Sequence, residues 1–485
     1  MINYLLLYPS QLFTYEQLKP LITKYSIKTI LLWEDPCCFG DRKGDVFGRN
    51  ILKLNKLRIA YMKATCDAYE EYLKKNLTVK RFKVDDLWKL SLKKRYEFTK
   101  DTVHIIEPGD NLLIERIKKN ATFPIMLHDS PQWLASTKLL DTLRSGKKRL
   151  QHSSFYNRMK VEFKDLHLLG DTPSQDKENR KALSKDALED IPEVKPYKNA
   201  NHSKWVKPAI EWTNKHPIFS KYAGPDASEM ESILMQLPLT HSETMDWLNE
   251  FLKYRFNLFG PYEDAMASEL PFSKRYIYHS GLSTMLNNGL LIPREVLVYT
   301  KNYMHSHTIS VASYEGFVRQ ILGWREYCRL YYYHFDSKSI LKNTWNAKNK
   351  LGSDWYNANV PKDVNPVSAA IYKAWSTGYL HHIERLMVLS NWMTLNKIHP
   401  DEVYSWFYEF ALDSYPWVMV FNVYSMGTWS DGGLAMRKPY ISSANYLIKM
   451  GHYSQKELWV DKWNKIYKNF ISKNRSVLSH TILAS

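Results

Sequence analysis

Cysteine is scarce: Cys37, Cys38, Cys66 and Cys328 are the only four in 485 residues. None are spaced as CxxC or CxxxC, so a zinc ribbon or an iron–sulfur cluster has too few ligands in any one stretch. A disulfide framework has equally little support, and a reducing compartment is the default. There is no GxGxxG, which makes a conventional NAD-binding Rossmann domain unlikely on sequence grounds. No apolar run approaches the roughly 20 residues that cross a bilayer. The start, Met1 to Pro9, lacks the basic flank and small-residue cleavage site of a signal peptide and reads as a buried first strand. Acidic residues are also in short supply, 50 against 67 Lys and Arg, giving a formal charge of +17. The expectation is a soluble intracellular monomer of cytoplasm or nucleus, neither secreted nor membrane-bound. Its positive excess suits a polyanion such as nucleic acid, although a basic charge also serves solubility alone.

What is present is a globular composition, 44% hydrophobic and 14% aromatic, which excludes wholesale disorder. Residues 1–130 alternate strand and helix signals. Ile2–Tyr8, Thr29–Trp33, Leu77–Val84, Val103–Ile106 and Pro124–Leu127 are strand candidates. Tyr15–Tyr25 reads as a helix weakened by Pro20. Between Lys53 and Lys74, apolar residues recur at spacings of three and four, the pattern of an amphipathic helix. Strands separated by helices predict a doubly wound parallel sheet. Residues 131–240 read as a long basic linker, with eight basic and two acidic residues between Lys138 and Lys164. That run, Lys147, Lys148 and Arg149 included, reads on its own as a solvated face. Residues 241–485 carry helical patterns, the best being Met245–Tyr254, Arg294–Met304, Tyr314–Tyr333, Val367–Trp375, Ile383–Leu395 and Asp401–Leu412. The predicted architecture is an α/β domain, a linker and a larger all-α domain.

Several segments stand out in the helical half. They are Phe259-Gly-Pro-Tyr-Glu-Asp-Ala-Met266, His279-Ser-Gly-Leu-Ser-Thr-Met-Leu-Asn-Asn-Gly-Leu-Leu291 and Glu315-Gly-Phe-Val-Arg-Gln-Ile-Leu-Gly-Trp-Arg-Glu-Tyr327. Gly378-Tyr-Leu-His-His-Ile-Glu-Arg-Leu-Met-Val388, Trp417-Val-Met-Val-Phe-Asn422, Ser430-Asp-Gly-Gly433 and Lys438-Pro-Tyr440 follow, and Asp176-Lys-Glu-Asn-Arg180 lies in the linker. Small hydroxylated residues and a glycine before a helix, as in His279–Thr284, suit phosphate capture; in isolation they are equally an ordinary N-cap. The ordered set resembles the photolyase/cryptochrome superfamily, in its prokaryotic-type branch of deoxyribodipyrimidine photolyase-related proteins. The resemblance covers most of the chain and is weaker in the first 130 residues.

That resemblance implies an FAD-dependent, light-driven DNA repair enzyme, or a cryptochrome-like photoreceptor that keeps FAD without repair. It assigns Tyr262, Ser280, Leu282, Ser283, Thr284 and Leu286 to the FAD phosphate and ribose end. Gln320 and Arg325 would face the flavin, with Asp413, Asn422 and Arg385 against the rest of the cofactor. His381 and His382 border the flavin in the family and are tied to repair of ultraviolet lesions; without that context they read as one buried and one surface histidine. Neighbours on a helix point about 100° apart, so one would face the cavity and the other support it. Histidine is a natural proton donor near neutral pH, which favours the (6-4) photoproduct over the cyclobutane dimer as substrate. Trp406, then Trp392 and Trp375, are the electron-relay candidates. Asp176, Asn179 and Arg180 would reach the lesion in UV-damaged DNA, and the basic run with Lys147, Lys148 and Arg149 would be a contact strip for it. Glu34, at a strand end, would contact a lumazine-type antenna.

The sequence departs from the family in one respect that bears on cofactors. Where the branch carries [4Fe–4S] cysteines, this chain has Pro366, in Asp363–Val367, and Ser454, in Met450–Ser454. The tail is the shorter Lys456–Phe470. No cluster and no other metal is expected.

Overall fold

The computed structural model describes residues 2–145, 150–169, 174–197, 200–267, 270–358 and 364–479. Five parallel strands, β1 (Asn3–Leu7), β2 (Thr29–Trp33), β3 (Thr78–Phe82), β4 (Thr102–Ile106) and β5 (Ile125–His128), form one sheet in the order β3-β2-β1-β4-β5. The register pairs Leu5 with Ile30 and with His104. Alternation sends Leu5 and Leu7 into one core and Leu6 and Tyr8 into another, so β1 is apolar on both faces, as a parallel sheet covered by helices requires. The first crossover helix, α1 (Tyr15–Lys24), survives Pro20 because Thr14 and Gln17 close a capping box and Leu18 and Ile22 are buried.

The next helix, α2 (Lys56–Leu73), is buried along two sides. Ile59, Met62 and Tyr69 join the main core, while Leu57, Ala60, Ala64 and Ala68 join a second cluster with Val206, Ala209 and Ile210. Those three belong to a helix at Ala200–Lys215, inside the stretch read from sequence as a connector. The same stretch holds helices at Thr137–Arg144, His152–Glu162 and Ala227–Leu234. Part of the expected linker is therefore packed structure. Its lysines occupy the outer faces and mask the apolar stripe that holds it to α2.

The helical half contains helices at each expected place, with one difference in kind. Among the described residues three segments are π-helical: Arg319–Arg325, Glu384–Ser390 and Phe421–Gly427. The expected helix Tyr314–Tyr333 is thus Val311–Val318, a π segment and Glu326–His334. Ile383–Leu395 is likewise a π segment followed by Asn391–Leu395. Apolar periodicity does not separate i→i+5 from i→i+4 bonding over so few turns.

The strand order reverses between β1 and β4, the place where an open α/β sheet leaves a crevice beyond its strand ends. Here the chain fills it. Gln11 donates to Ile106 O at 2.9 Å and accepts from Tyr8 N at 3.1 Å. Gln132 donates to Ser10 O and to Asn287 O of the helical half. Beside them Glu107 accepts from Gly109 N, Trp133 Nε1 and Arg329 Nη2, and from the Tyr333 hydroxyl. The crevice is a seam between the two halves.

Candidate functional site

The π segments converge on a buried polar region with His381 at its centre. Gly378 takes a left-handed φ of +62° and ends the helix Asn365–Thr377. The chain then runs extended to His381, whose backbone N–H donates to Glu384 Oε2 at 3.1 Å. Lys373 fixes that carboxylate at 2.8 Å. His381 therefore precedes the helix and His382 begins it; the two are not neighbours on one helical turn, as the sequence predicted. The His381 ring is 4% exposed and stacks on His279 at 4.4 Å and 16°. Neither of its ring nitrogens has a hydrogen-bond partner. His382 is half-buried, with its ring edge-on to Trp324 at 5.6 Å.

His279 anchors this stack. Each of its ring nitrogens lies 3.0 Å from a backbone carbonyl, Tyr276 O and Glu263 O. A neutral ring donates to only one of them. Burial outweighs these acceptors and pushes His279 down to about 4, with Lys373 adding to the fall. Burial, then Arg385 and His279, bring His382 down to about 4, and burial and the neighbouring cations push His381 well down. His152, under the first π segment, is also lowered to about 4 by burial.

These values fix a pH dependence. The folded values lie below the free imidazole's ~6.5, so the unfolded chain takes up protons first. The contribution is complete above about pH 6.5 and is lost as the pH falls through about 4. Glu263 and Glu409, raised to about 7 by burial, work in the opposite sense: their contribution is complete below the carboxylate's ordinary value and fades as the pH rises through 7. Among the described residues nine histidines are held down in this way, and five carboxyls are held up, Asp264, Glu326 and Asp431 being the other three. The urea midpoint is expected to fall between pH 6.5 and 4.5; a midpoint that holds or rises over that interval contradicts the buried neutral histidines.

The other expected residues fall into distinct settings. Ser280, Ser283 and Thr284 bring three hydroxyls to the start of the short helix Ser283–Asn288, and Leu282 and Leu286 are buried behind them. Gly281 has φ +64°, and a Cβ there would lie 2.7 Å from the Tyr276 ring, so this turn admits only glycine. Asp413 is ion-paired to Arg385 at 2.9 Å, and its carbonyl accepts from Asn287 Nδ2 at 2.7 Å. Gln320 and Asn422 are half-buried on two of the π segments. Tyr262 leans on Tyr278 at 5.4 Å, with its hydroxyl 3.4 Å from Ser184 in the linker. Arg325 does not share a free face with Gln320. It is clamped over Trp417 at 4.4 Å and Trp133 at 4.8 Å, with its Nη groups on Asn287 Oδ1 and Leu286 O. Only its Nε lacks a partner. It lies in the seam between the two halves, between Trp133 and Trp417.

A flavin dinucleotide fits this region by its donor chemistry. The hydroxyls of Ser280, Ser283 and Thr284 suit a pyrophosphate, and the ring nitrogens of His381, which make no hydrogen bond although Nε2 lies 3.7 Å from Glu384 Oε2, leave room for a further polar group.

The three relay candidates lie in three separate aromatic sets. Trp406 is fully buried, 5.9 Å from Trp355, to whose carbonyl it donates. Trp375 stacks on the exposed Tyr372 at 6.2 Å. Trp392 touches Trp463 of the tail helix Leu458–Lys473 at 5.1 Å, and Trp459 and Tyr453 continue that series. Glu34 is 2% exposed, and both its oxygens are taken, by Arg81 and by Val84 N. It is the ion-pair partner of Arg81 in this structure. Lys147, Lys148 and Arg149 lie outside the described residues. Asn179 is buried and donates to Ala312 O, while Asp176 and Arg180 are half-exposed beside Arg319 and Glu263. The four cysteines are free, with Cys37, Cys66 and Cys328 buried, and no metal-holding cluster of His, Cys, Asp or Glu occurs among the described residues.

Sequence reasoning missed Trp324, which donates Nε1 to Met426 Sδ at 3.3 Å and flanks His382. It also missed Arg319 and Glu263. All three stand inside motifs already singled out, and only the chemistry of their neighbours drew the eye elsewhere.

Comparison with known proteins bears on this arrangement. The family model for deoxyribodipyrimidine photo-lyase-related protein matches residues 48–224. A (6-4) photolyase of Agrobacterium fabrum is 31% identical over 249 residues, 50% of this chain and 48% of that protein. The match thus spans about half the length of that relative. Protein R855 of Acanthamoeba polyphaga mimivirus is 50% identical over 88 residues, covering 18% of this chain and 72% of its own. In fold, a class III photolyase from Agrobacterium tumefaciens superposes with a TM-score of 0.57 at 15% identity, over 98% of this chain and 92% of that one. A cryptochrome from Synechocystis gives 0.57 at 12% identity, over 98% and 89%.

Proposed function

We propose that this chain, which belongs to the photolyase/cryptochrome superfamily in its deoxyribodipyrimidine photo-lyase-related branch, is a light-driven, FAD-dependent DNA photolyase with the (6-4) photoproduct as its favoured lesion. The observation that carries the reading is the His279–His381 stack, with His381 partnerless and His382 at the rim against Trp324. A site that handled only electrons would gain nothing from burying an imidazole whose nitrogens make no hydrogen bond.

Reduced flavin, when bound and illuminated, supplies the electron. This chain's residues hold and protonate. Ser280, Ser283 and Thr284 take the pyrophosphate, and Arg385, fixed by Asp413, lends positive charge beside the ring system. The basic surface binds the phosphate backbone in a salt-dependent way. A damaged dinucleotide leaves the stack to reach the cavity, and Trp324 offers it an aromatic face. Burial keeps His382 neutral at pH 7. The negative charge of substrate and cofactor raises its proton affinity, so it becomes an acid where the reaction needs one.

The test is to purify the protein, record its visible spectrum, and follow oligonucleotides with defined (6-4) or cyclobutane lesions in light and dark. Flavin absorption with light-dependent repair of the (6-4) lesion is expected. Repair of the cyclobutane dimer alone overturns the substrate. Flavin without repair favours the photoreceptor reading, for which the likeness to a cryptochrome speaks. Protein that binds no flavin defeats both.

A further inference from the structure

We propose that Asp176 stands in for a nucleic-acid phosphate: in the unbound protein its carboxylate holds Arg180 and Arg319 together, and DNA takes both guanidiniums from it on binding. The inference rests on the DNA-binding reading above and reverses the role expected for Asp176, since a carboxylate repels the phosphates it would have to meet.

The geometry is that of an anion site already filled. Asp176 accepts from Arg180 Nη2 through one oxygen at 2.5 Å and from Arg319 Nη1 through the other. Behind them Glu263 pairs with Arg180 at 2.8 Å and lies 3.5 Å from Arg319. The side chains of Arg180 and Asp176 are 39% and 33% exposed, whereas that of Glu263 is 10% exposed. Asp176 is thus the outer, exchangeable anion and Glu263 the inner, fixed one. Carboxylate and phosphate oxygens are interchangeable partners for a guanidinium fork. An exposed pair of this kind is held weakly, while each phosphate that meets an arginine releases a condensed counterion.

The backbone keeps the arginines in place while the anion changes. Arg180 is in the left-handed region at φ +64°. Its N–H donates to Gly260 O and that of Lys181 to Pro261 O at 2.7 Å, so the loop is stitched to the turn that carries Glu263. A non-glycine residue persists in such a conformation only where its surroundings impose it. On the other side Ser174 Oγ and Gln175 N donate to Glu315. The cluster borders the site: Arg319 precedes Gln320, and the Glu263 carbonyl lies 3.0 Å from His279 Nε2.

The experiment measures binding of the full-length protein to an undamaged duplex over a series of salt concentrations. Asp176→Asn is expected to bind about three- to tenfold more tightly at ~0.1 M salt, with a log–log salt slope steeper by roughly 1. Arg319→Gln weakens binding and flattens the slope by roughly 1, and in the double variant the gain from Asp176→Asn is lost. Asp176→Asn with unchanged or weaker affinity and an unchanged slope overturns the exchange, as does Arg319→Gln that binds like the parent. Absence of DNA binding by the parent at every salt concentration defeats the DNA reading and the exchange with it. Binding by the parent with an inert Asp176 defeats the exchange alone.

Discussion

Replacing Glu107 with Ala lowers the unfolding free energy by about 3–5 kcal/mol, the cost of stripping a partner from a buried charge. The carboxylate is the hub of the seam. It accepts from Trp133 Nε1 at 2.8 Å, Arg329 at 3.2 Å and Gly109 N at 2.6 Å, with the Tyr333 hydroxyl as a fourth donor. The Arg329 side chain is 1% exposed, so no water replaces what it loses. Its Nη1 keeps Ala135 O, and its ring contacts with Trp133 and Tyr333 remain, which bounds the loss. Glu107→Gln keeps an acceptor oxygen and is expected to cost less, about 1–3 kcal/mol. Equilibrium denaturation in urea checks both. A loss under about 1 kcal/mol for the alanine variant would mean that the two halves do not depend on this junction.

His382→Ala is expected to slow (6-4) repair by about 100-fold or more, the usual worth of a positioned general acid, while flavin stays bound and its spectrum is unchanged. His381→Ala also slows repair, but through a different route. It removes the ring stacked on His279 and presents a void behind His382, so the spectrum of the bound flavin shifts along with the rate. Because burial holds His382 at about 4, its charging is driven by what binds. The parent's repair rate at saturating substrate is therefore expected to decline as the pH rises above the value set in the complex, and His382→Ala to lose that decline. Single-turnover repair of a (6-4) oligonucleotide at pH 6 to 9 provides the measurement. Full activity in both variants would remove proton transfer from the histidine pair.

The sheet was legible because its strands are short apolar runs between turn residues, and both faces of β1 are covered. The helix Ala200–Lys215 was not, because its buried Val206, Ala209 and Ile210 sit among lysines and beside Pro208, and the partner that makes them core is α2, far away in sequence. In the site, family motifs pointed to His381, Ser280 and Asp413, which lie close to one another through Arg385 and Asn287. At Arg325 and Glu34 they pointed to charges that this structure sets against Asn287 and Arg81. A motif gives the residue type and the spacing. Whether a charge is spent inside the protein depends on contacts between residues hundreds of positions apart, as with Arg319 and Asp176.

The three π segments make the cavity wall a matter of residue count as well as residue type. A helix with i→i+5 bonds carries one residue more per turn than an α-helical ladder accommodates. Removing a single residue from Arg319–Arg325 would let α-helical bonding run through from Val311–Val318 to Glu326–His334 with little change in the direction of either. The turn that bulges between them would be drawn in, and Trp324 with it, away from His382 and Met426. A deletion here is absorbed by the bulge and reshapes only the wall, whereas one inside a regular α-helix turns everything after it by about 100°. For anyone aligning or redesigning this chain, a one-residue gap in these seven-residue stretches deserves to be read as an active-site substitution.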